Sequence, residues 1–247
     1  MRMLASPFDN GQAEVSGRAL TMKVAETVST CVGSGPVAAV IMAAVLLLTV
    51  QVFSNLIPPL QSPDEPAHLE RAYLLSKGEI ILRAPSGVTG GEIDTGLLTY
   101  IESFARLPTQ YDQKVHAAEI SRTRNIHWSG SRRFQELVNT AVYFPLPYIP
   151  QAIALALGRW TGLTVDASYK MARWLSLLSS VSLLWGALYI YRTPPIVAAL
   201  FCIPMSLFQM GSASLDAVTF GTCALASSLS ARGVDNRAPF STEMHIT

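Results

Sequence analysis

Two adjacent carboxylates, Asp64 and Glu65, stand between Pro63 and Pro66 in the stretch SPDEPAHLERAY, and a third, Asp216, closes the run GSASLD. Ionisable groups beside apolar segments are costly and often functional, and a carboxylate near a hydroxyl can act as a general base. A carboxylate at a helix start has a structural use as well, capping the first turn and favouring the dipole. Both roles are open to Asp216. For the adjacent pair, capping accounts for one carboxylate and leaves the other over. His68 follows Glu65 by three residues, on the same helical face, as a metal ligand, a proton carrier or a packing residue. Arg173 opens an apolar segment. Its guanidinium matches phosphate oxygens with paired hydrogen bonds, or it anchors the helix by snorkelling to headgroups. Arg71 is the weaker candidate for the phosphate.

These residues must be positioned by elements that the composition already restricts. Half of the 247 residues are hydrophobic and only 14% are charged, against about 25% in a soluble domain. The mean hydropathy is +0.33. A membrane protein is expected. A net charge of +1 selects no polyanionic partner, and no basic and aromatic strip suggests nucleic-acid recognition. Cys31, Cys202 and Cys223 lie far apart, without metal or disulfide spacing. No zinc site is implied, and the cofactor stays open, a divalent metal being allowed but not indicated. The chain has no GxSxG, HExxH, Walker A or dinucleotide fingerprint.

The run 37–57 contains no charge and at 1.5 Å per residue covers roughly 32 Å, enough to cross a bilayer core. Thirty-six residues precede it and it is too long for a signal-peptide core, so it is expected to be an uncleaved anchor after a disordered cytoplasmic tail, 1–36. Met22 is an alternative start. Three further apolar segments follow. Residues 171–191 make a second span. The long run after Thr193 and Pro194, a good cap-and-proline helix start, is split at GSASLD into spans 194–212 and 216–231, with Pro204 as a kink and 232–247 as a polar tail. The segment YFPLPYIPQAIALALG holds Pro145, Pro147 and Pro150. Proline is expensive inside a helix, leaving about ten regular residues, roughly 15 Å. That predicts a juxtamembrane helix, with Tyr143, Phe144, Tyr148 and Trp160 as interfacial aromatics.

The resulting expectation is an all-α polytopic membrane protein with about four transmembrane helices. An outer segment, 58–170, carries juxtamembrane helices and is too long to count in the positive-inside rule. Arg2, Arg18, Lys23, Arg192, Arg232 and Arg237 then lie inside. If residues 143–158 spanned instead, Arg159 and Lys170 would be inside; charge separates the two topologies poorly, and the prolines favour the first. Within the outer segment DEPAHLERAYLL has amphipathic-helix spacing, PSGVTGGEIDTG reads as a turn region, and SRTRNIHWSGSRR as a solvated loop or an anionic-headgroup contact. In the four-span topology Asp64 and Asp216 face the same side of the membrane.

Several stretches together resemble one family. PPLQSPDEPAHLERAYLLSKGEI, GGEIDTG, NTAVYFPLPYIPQAIALALGRWTGL, MARWLSLLSS and IPMSLFQMGSASLDAVTF resemble, in order over residues 37–228, the motifs of domain-of-unknown-function family 2142, bacterial predicted membrane proteins. That family is similar to the GT-C class of polytopic glycosyltransferases. The resemblance implies a multi-pass protein of the bacterial cytoplasmic membrane that takes a sugar from a polyprenyl-phosphate donor to an acceptor at the outer face by inverting transfer. Asp64 or Glu65 would be the base, Asp216 the second acidic residue, and Arg173, with Arg71, the holder of the lipid phosphate. Such relatives are longer, so the chain is expected to be an amino-terminal portion, inactive by itself if the missing half forms the donor groove. The alternative is a non-catalytic integral membrane protein whose outer domain binds or assembles with partners.

Overall fold

The computed structural model describes residues 36–84, 87–107, 115–191 and 195–235. The amino-terminal tail to residue 35, the Thr193–Pro194 helix start and the polar tail beyond residue 235 lie outside them.

The first element is α1, Pro36–Leu56, whose 21 residues follow the apolar run. It is apolar on every side over its first three turns, with Gln51, Ser54 and Asn55 confined to its end. Leu46 and Val50 pack inward, while Val40, Ile41, Val45, Leu48, Val52 and Leu56 are exposed, as suits a helix solvated by lipid. A tight loop leads into α2, Glu65–Ser76, with Pro66 in its first turn. Strand β1, Gly90–Asp94, runs directly into α3, Thr95–Glu102, and α4 follows at Ala117–Arg124. Strand β2, Arg132–Glu136, pairs antiparallel with β1 in the register Gly90↔Glu136 to Asp94↔Arg132. A 3₁₀ turn at Leu146–Tyr148 opens α5, Ile149–Trp160. The remaining helices are α6, Val165–Ile190; α7, Pro195–Phe201; α8, Pro204–Met210; and α9, Asp216–Asp235.

Among the described residues two helices, α1 and α6, are long and apolar enough to cross a membrane. The 12-residue α5 is about 18 Å long, short of a bilayer core, and folds back along the first half of α6. There Gly158 is required: a Cβ would lie 2.0 Å from Ser168 Oγ. Helix α6 joins two hydrophobic cores. Its Val165, Tyr169 and Ala172 enter an outer core with Leu69, Tyr73, Ile93, Leu97 and Tyr100. Its Leu177, Val181 and Leu184 enter an inner core with Leu46, Val50, Phe201 and Met210. Helix α9 lies along α6, close enough that a Cβ on Gly221 would meet Ser180 O at 2.7 Å.

Three expectations need revision. The chain is mostly helical but not all-α, because GGEID forms β1 and part of the arginine-rich stretch forms β2. The glycines hid the strand, having no side chains to alternate. They are there for contact: a Cβ on Gly91 would strike the Leu74 side chain of α2, and one on Gly90 the Gln135 carbonyl. The segment 194–212 is not one kinked helix. It breaks before Pro204 into α7 and α8, seven residues each, because proline supplies no N–H and its ring clashes with the preceding turn. Helix α9 is longer than the 16 residues expected, at 20.

Candidate functional site

The adjacent carboxylates are divided by the loop that holds them. Leu60 and Asp64 both have left-handed backbones, with φ of 62° and 55°, a conformation costing about 1–2 kcal/mol for an L-residue with a Cβ. The turn at Asp64 sends the two side chains in opposite directions. Glu65 points inward and is 2% exposed. Its Oε1 accepts hydrogen bonds from Tyr169 Oη at 2.9 Å and the Ala213 N–H at 2.7 Å, and its Oε2 accepts from the Ser62 N–H at 3.3 Å. Tyr169 in turn accepts from the Leu60 N–H at 3.1 Å. One carboxylate thus ties the loop after α1, the start of α2, helix α6 and the loop before α9. Burial pushes the Glu65 carboxyl above its usual range, while the nearby Arg173 charge and the three donors pull it down.

Asp64 points outward and is exposed. It occupies the N-cap position of α2, but its side chain makes no cap hydrogen bond. One turn on, the buried His68 contacts Tyr148 through Nδ1 and Oη at 2.7 Å. Its ring lies 5.8 Å from that of Tyr143. Burial lowers the His68 pKa, and the charges of Asp216 and Asp64 oppose that shift, so both carboxylates lie within electrostatic reach of the imidazole. Asp216 stands in the first turn of α9, where Ser214 Oγ donates to its Oδ2 at 2.9 Å and accepts from its N–H at 3.3 Å. The serine-rich loop is itself held by Gln151, whose Nε2 donates to Ser214 O at 2.7 Å and to Ser176 Oγ at 3.1 Å. Asp64 and Asp216 thus both act electrostatically on a buried imidazole whose own hydrogen bond goes to Tyr148.

The arginines are engaged by backbone carbonyls. Arg71 is 1% exposed and donates to the carbonyls of Glu79 at 3.0 Å and Ile80 at 2.7 Å, so two of its three nitrogens fasten the chain leaving α2. Its Nε has no hydrogen-bond partner. Arg173 stacks 5.6 Å from the Tyr169 ring centroid. Its Nε donates to Gly211 O and one terminal nitrogen to Ser54 O at 3.4 Å. It also borders a cleft of about 240 Å³ between the end of α1, α4 and α6. A larger cavity of about 500 Å³ between α6, α7, α8 and α9 has no charged side chain among its lining residues.

Several residues of the site escaped the sequence reading. Tyr148 is buried against His68 and is not an interfacial aromatic. Tyr169 carried one usable signal, its position one helical turn before Arg173. Ser62 and Ala213 act through backbone N–H groups and left none. Asp94, read as part of a turn, is buried and accepts from Gly96 N–H at 2.8 Å, Ser129 N–H at 3.0 Å and Gly130 N–H at 2.9 Å, which explains the acid in GGEIDTG as a structural clasp. Among the described residues no three or more His, Cys, Asp or Glu are grouped so as to hold a metal ion.

The chain belongs to the family of predicted membrane proteins DUF2142, whose profile matches residues 46–246. No curated protein and no solved structure matches it.

Proposed function

We propose that the chain carries the acidic face of a GT-C-type glycosyltransferase, which moves a sugar from a polyprenyl-phosphate donor to an acceptor at the outer membrane surface. The observation that carries this reading is Asp64: an exposed carboxylate without a capping bond, held in a strained backbone beside His68 and Asp216. Strain of this kind persists where surrounding structure over-determines it, and clusters at functional sites.

In the mechanism Asp64 takes the proton of an acceptor hydroxyl as its oxygen attacks the anomeric carbon. The bond from that carbon to the lipid phosphate breaks, and the phosphate leaves with the electron pair. One displacement inverts the anomeric centre and needs no nucleophilic carboxylate, which fits a Glu65 occupied by three donors. Asp216, hydrogen-bonded to Ser214, supplies the second negative charge of the face. The guanidinium of Arg173 is assigned to the leaving phosphate, while Arg71, buried and fastened to the Glu79 and Ile80 carbonyls, takes no part in it. The topology proposed with this mechanism has four crossings, by α1, α6, the broken pair α7–α8, and α9, in a multi-pass protein of the bacterial cytoplasmic membrane.

The test is Asp64→Asn in membranes, assayed for transfer from a panel of polyprenyl-phosphate hexoses. Transfer is expected to vanish while membrane insertion is intact, and transfer at the wild-type rate removes Asp64 as the base. A non-catalytic assembly protein is the second reading, favoured by an exposed apolar stripe on α5 formed by Ile149, Ile153, Leu157 and Trp160. If Asp64→Asn and Glu65→Gln both behave as wild type in vivo, that reading replaces the first.

A further inference from the structure

The polar end of α1 has a use that the acidic face does not explain. Gln51, Ser54 and Asn55 are spaced three and four residues apart, so they share one face of the helix. That face turns toward Lys170, Arg173 and Trp174, which share a face of α6 by the same spacing, and toward Arg124 at the end of α4. Together they enclose the cleft of about 240 Å³.

Its charge is unbalanced. Lys170 pairs with Asp166 at 2.6 Å, and Glu65 acts on Arg173 from the interior. Arg124 makes no ion pair among the described residues. Three cations thus meet two carboxylates, of which Asp166 lines the cleft beside Lys170 and Glu65 does not line it.

Its depth is fixed by α6. Ala172 belongs to the outer core and Leu177 to the inner one, so Arg173 and Trp174 stand where the two meet. Exposed Leu56 on α1 lines the cleft, and exposed Val52 and Leu178 directly follow its lining residues Gln51 and Leu177, giving it apolar lips. A cationic, polar-lined cleft with lipid-facing lips suits an anion joined to an acyl chain, since charge and apolar contact are then satisfied together.

We propose that this cleft seats the phosphate of an anionic membrane phospholipid, with Arg124 and Lys170 as the holding cations and Arg173 at the back. The proposal shares with the glycosyl-transfer reading only the placement of Arg173 at the membrane surface, and needs none of the transfer chemistry. The lipid is a structural ligand that fastens α4 and the end of α1 to α6.

Mass spectrometry of the intact full-length chain under non-denaturing conditions tests it. The protein is held in detergent with equimolar phosphatidylglycerol and phosphatidylcholine. The expected result is one phosphatidylglycerol retained in preference to phosphatidylcholine. Arg124→Ala and Lys170→Ala should each lower that preference by about fivefold, and Arg124→Lys should restore most of it. Arg124 is exposed, so its removal leaves the fold in place even if Lys170→Ala disturbs the Asp166 pair. Equal retention of the two lipids overturns the proposal. So does a preference unchanged in Arg124→Ala, or one abolished by millimolar inorganic phosphate, which would make the cleft a site for soluble anions. Asp64→Asn separates the two readings: it should keep the lipid preference while losing transfer. Loss of the preference in Arg124→Ala with transfer retained supports the seat alone.

Discussion

Glu65→Gln is the substitution that most directly tests how the site is held. Every group touching the carboxylate is a donor to it: two backbone N–H groups and a tyrosine hydroxyl that is itself an acceptor for Leu60. These donors and the Arg173 charge favour the carboxylate against the effect of burial, so the group serves here as an acceptor. An amide keeps one oxygen for the Tyr169 and Ala213 donors. Its NH₂ must then face the Ser62 N–H, donor against donor. The Arg173 charge also loses the through-space attraction of the carboxylate, although no ion pair among the described residues is broken. An unsatisfied buried donor costs about 1–3 kcal/mol, so about 2 kcal/mol is expected. For a chain of this size that lowers Tm by about 4–8 °C, read by thermal unfolding in detergent. Tyr169→Phe, which breaks the bond to Glu65 and strands the Leu60 N–H in its left-handed backbone, should cost about 1–3 kcal/mol by the same measurement. In both variants disulfide formation between paired cysteines at positions 64 and 216 should change, because the tie between the two loops is cut. A Glu65→Gln protein melting within 2 °C of wild type, a limit of about 1 kcal/mol, would mean that the carboxyl is neutral and the bonding scheme above is wrong.

Two more outcomes follow from burial and packing. Glu70 on α2 is buried, and this raises its pKa to about 7, with Arg133 only partly offsetting the effect. A carboxyl raised above its unfolded value binds more protons in the native state, so its contribution is full below about pH 4.5 and is lost as pH rises through about 7. The loss amounts to about 3 kcal/mol, and a Glu70→Gln protein followed by unfolding between pH 5 and 8 should show a flatter profile than wild type; parallel profiles refute this. Gly158→Ala should destabilise by about 1–3 kcal/mol through overpacking against Ser168, and pairing it with Ser168→Gly should recover part of the loss, whereas strict additivity in denaturant unfolding would place the strain elsewhere.

What the sequence made legible follows from which signals survive without a partner. Helix α1 announces itself by an uninterrupted apolar run, α2 by its period, and the shortness of α5 by its prolines. Each of these signals is local. The β1–β2 ribbon was invisible because its inner strand is built on Gly90 and Gly91, whose role is to be absent where Leu74 and the Gln135 carbonyl approach. The proline in IPMSLFQM was visible, but whether it bends a helix or ends one depends on packing among α6, α8 and α9.

The division of labour between Asp64 and Glu65 is the sharper case. By type and position the two are interchangeable, and capping was expected to absorb one of them. The geometry gives neither the helix-capping role: Glu65 reaches back to Ser62 and across to Ala213, and Asp64 makes no cap bond at all. Their separation comes from one torsion, the positive φ at Asp64, which is maintained by long-range bonds to Tyr169 and Ala213, 104 and 148 residues away from Glu65 in sequence. No window of neighbouring residues encodes it. The inward acid holds both loops while the outward one is left open, and Asp216 follows three residues beyond the Ala213 that the inward acid grips. The pair is therefore one device with two ends: removing the inner charge should misplace the outer one, and removing the outer charge should leave the fold as it stands.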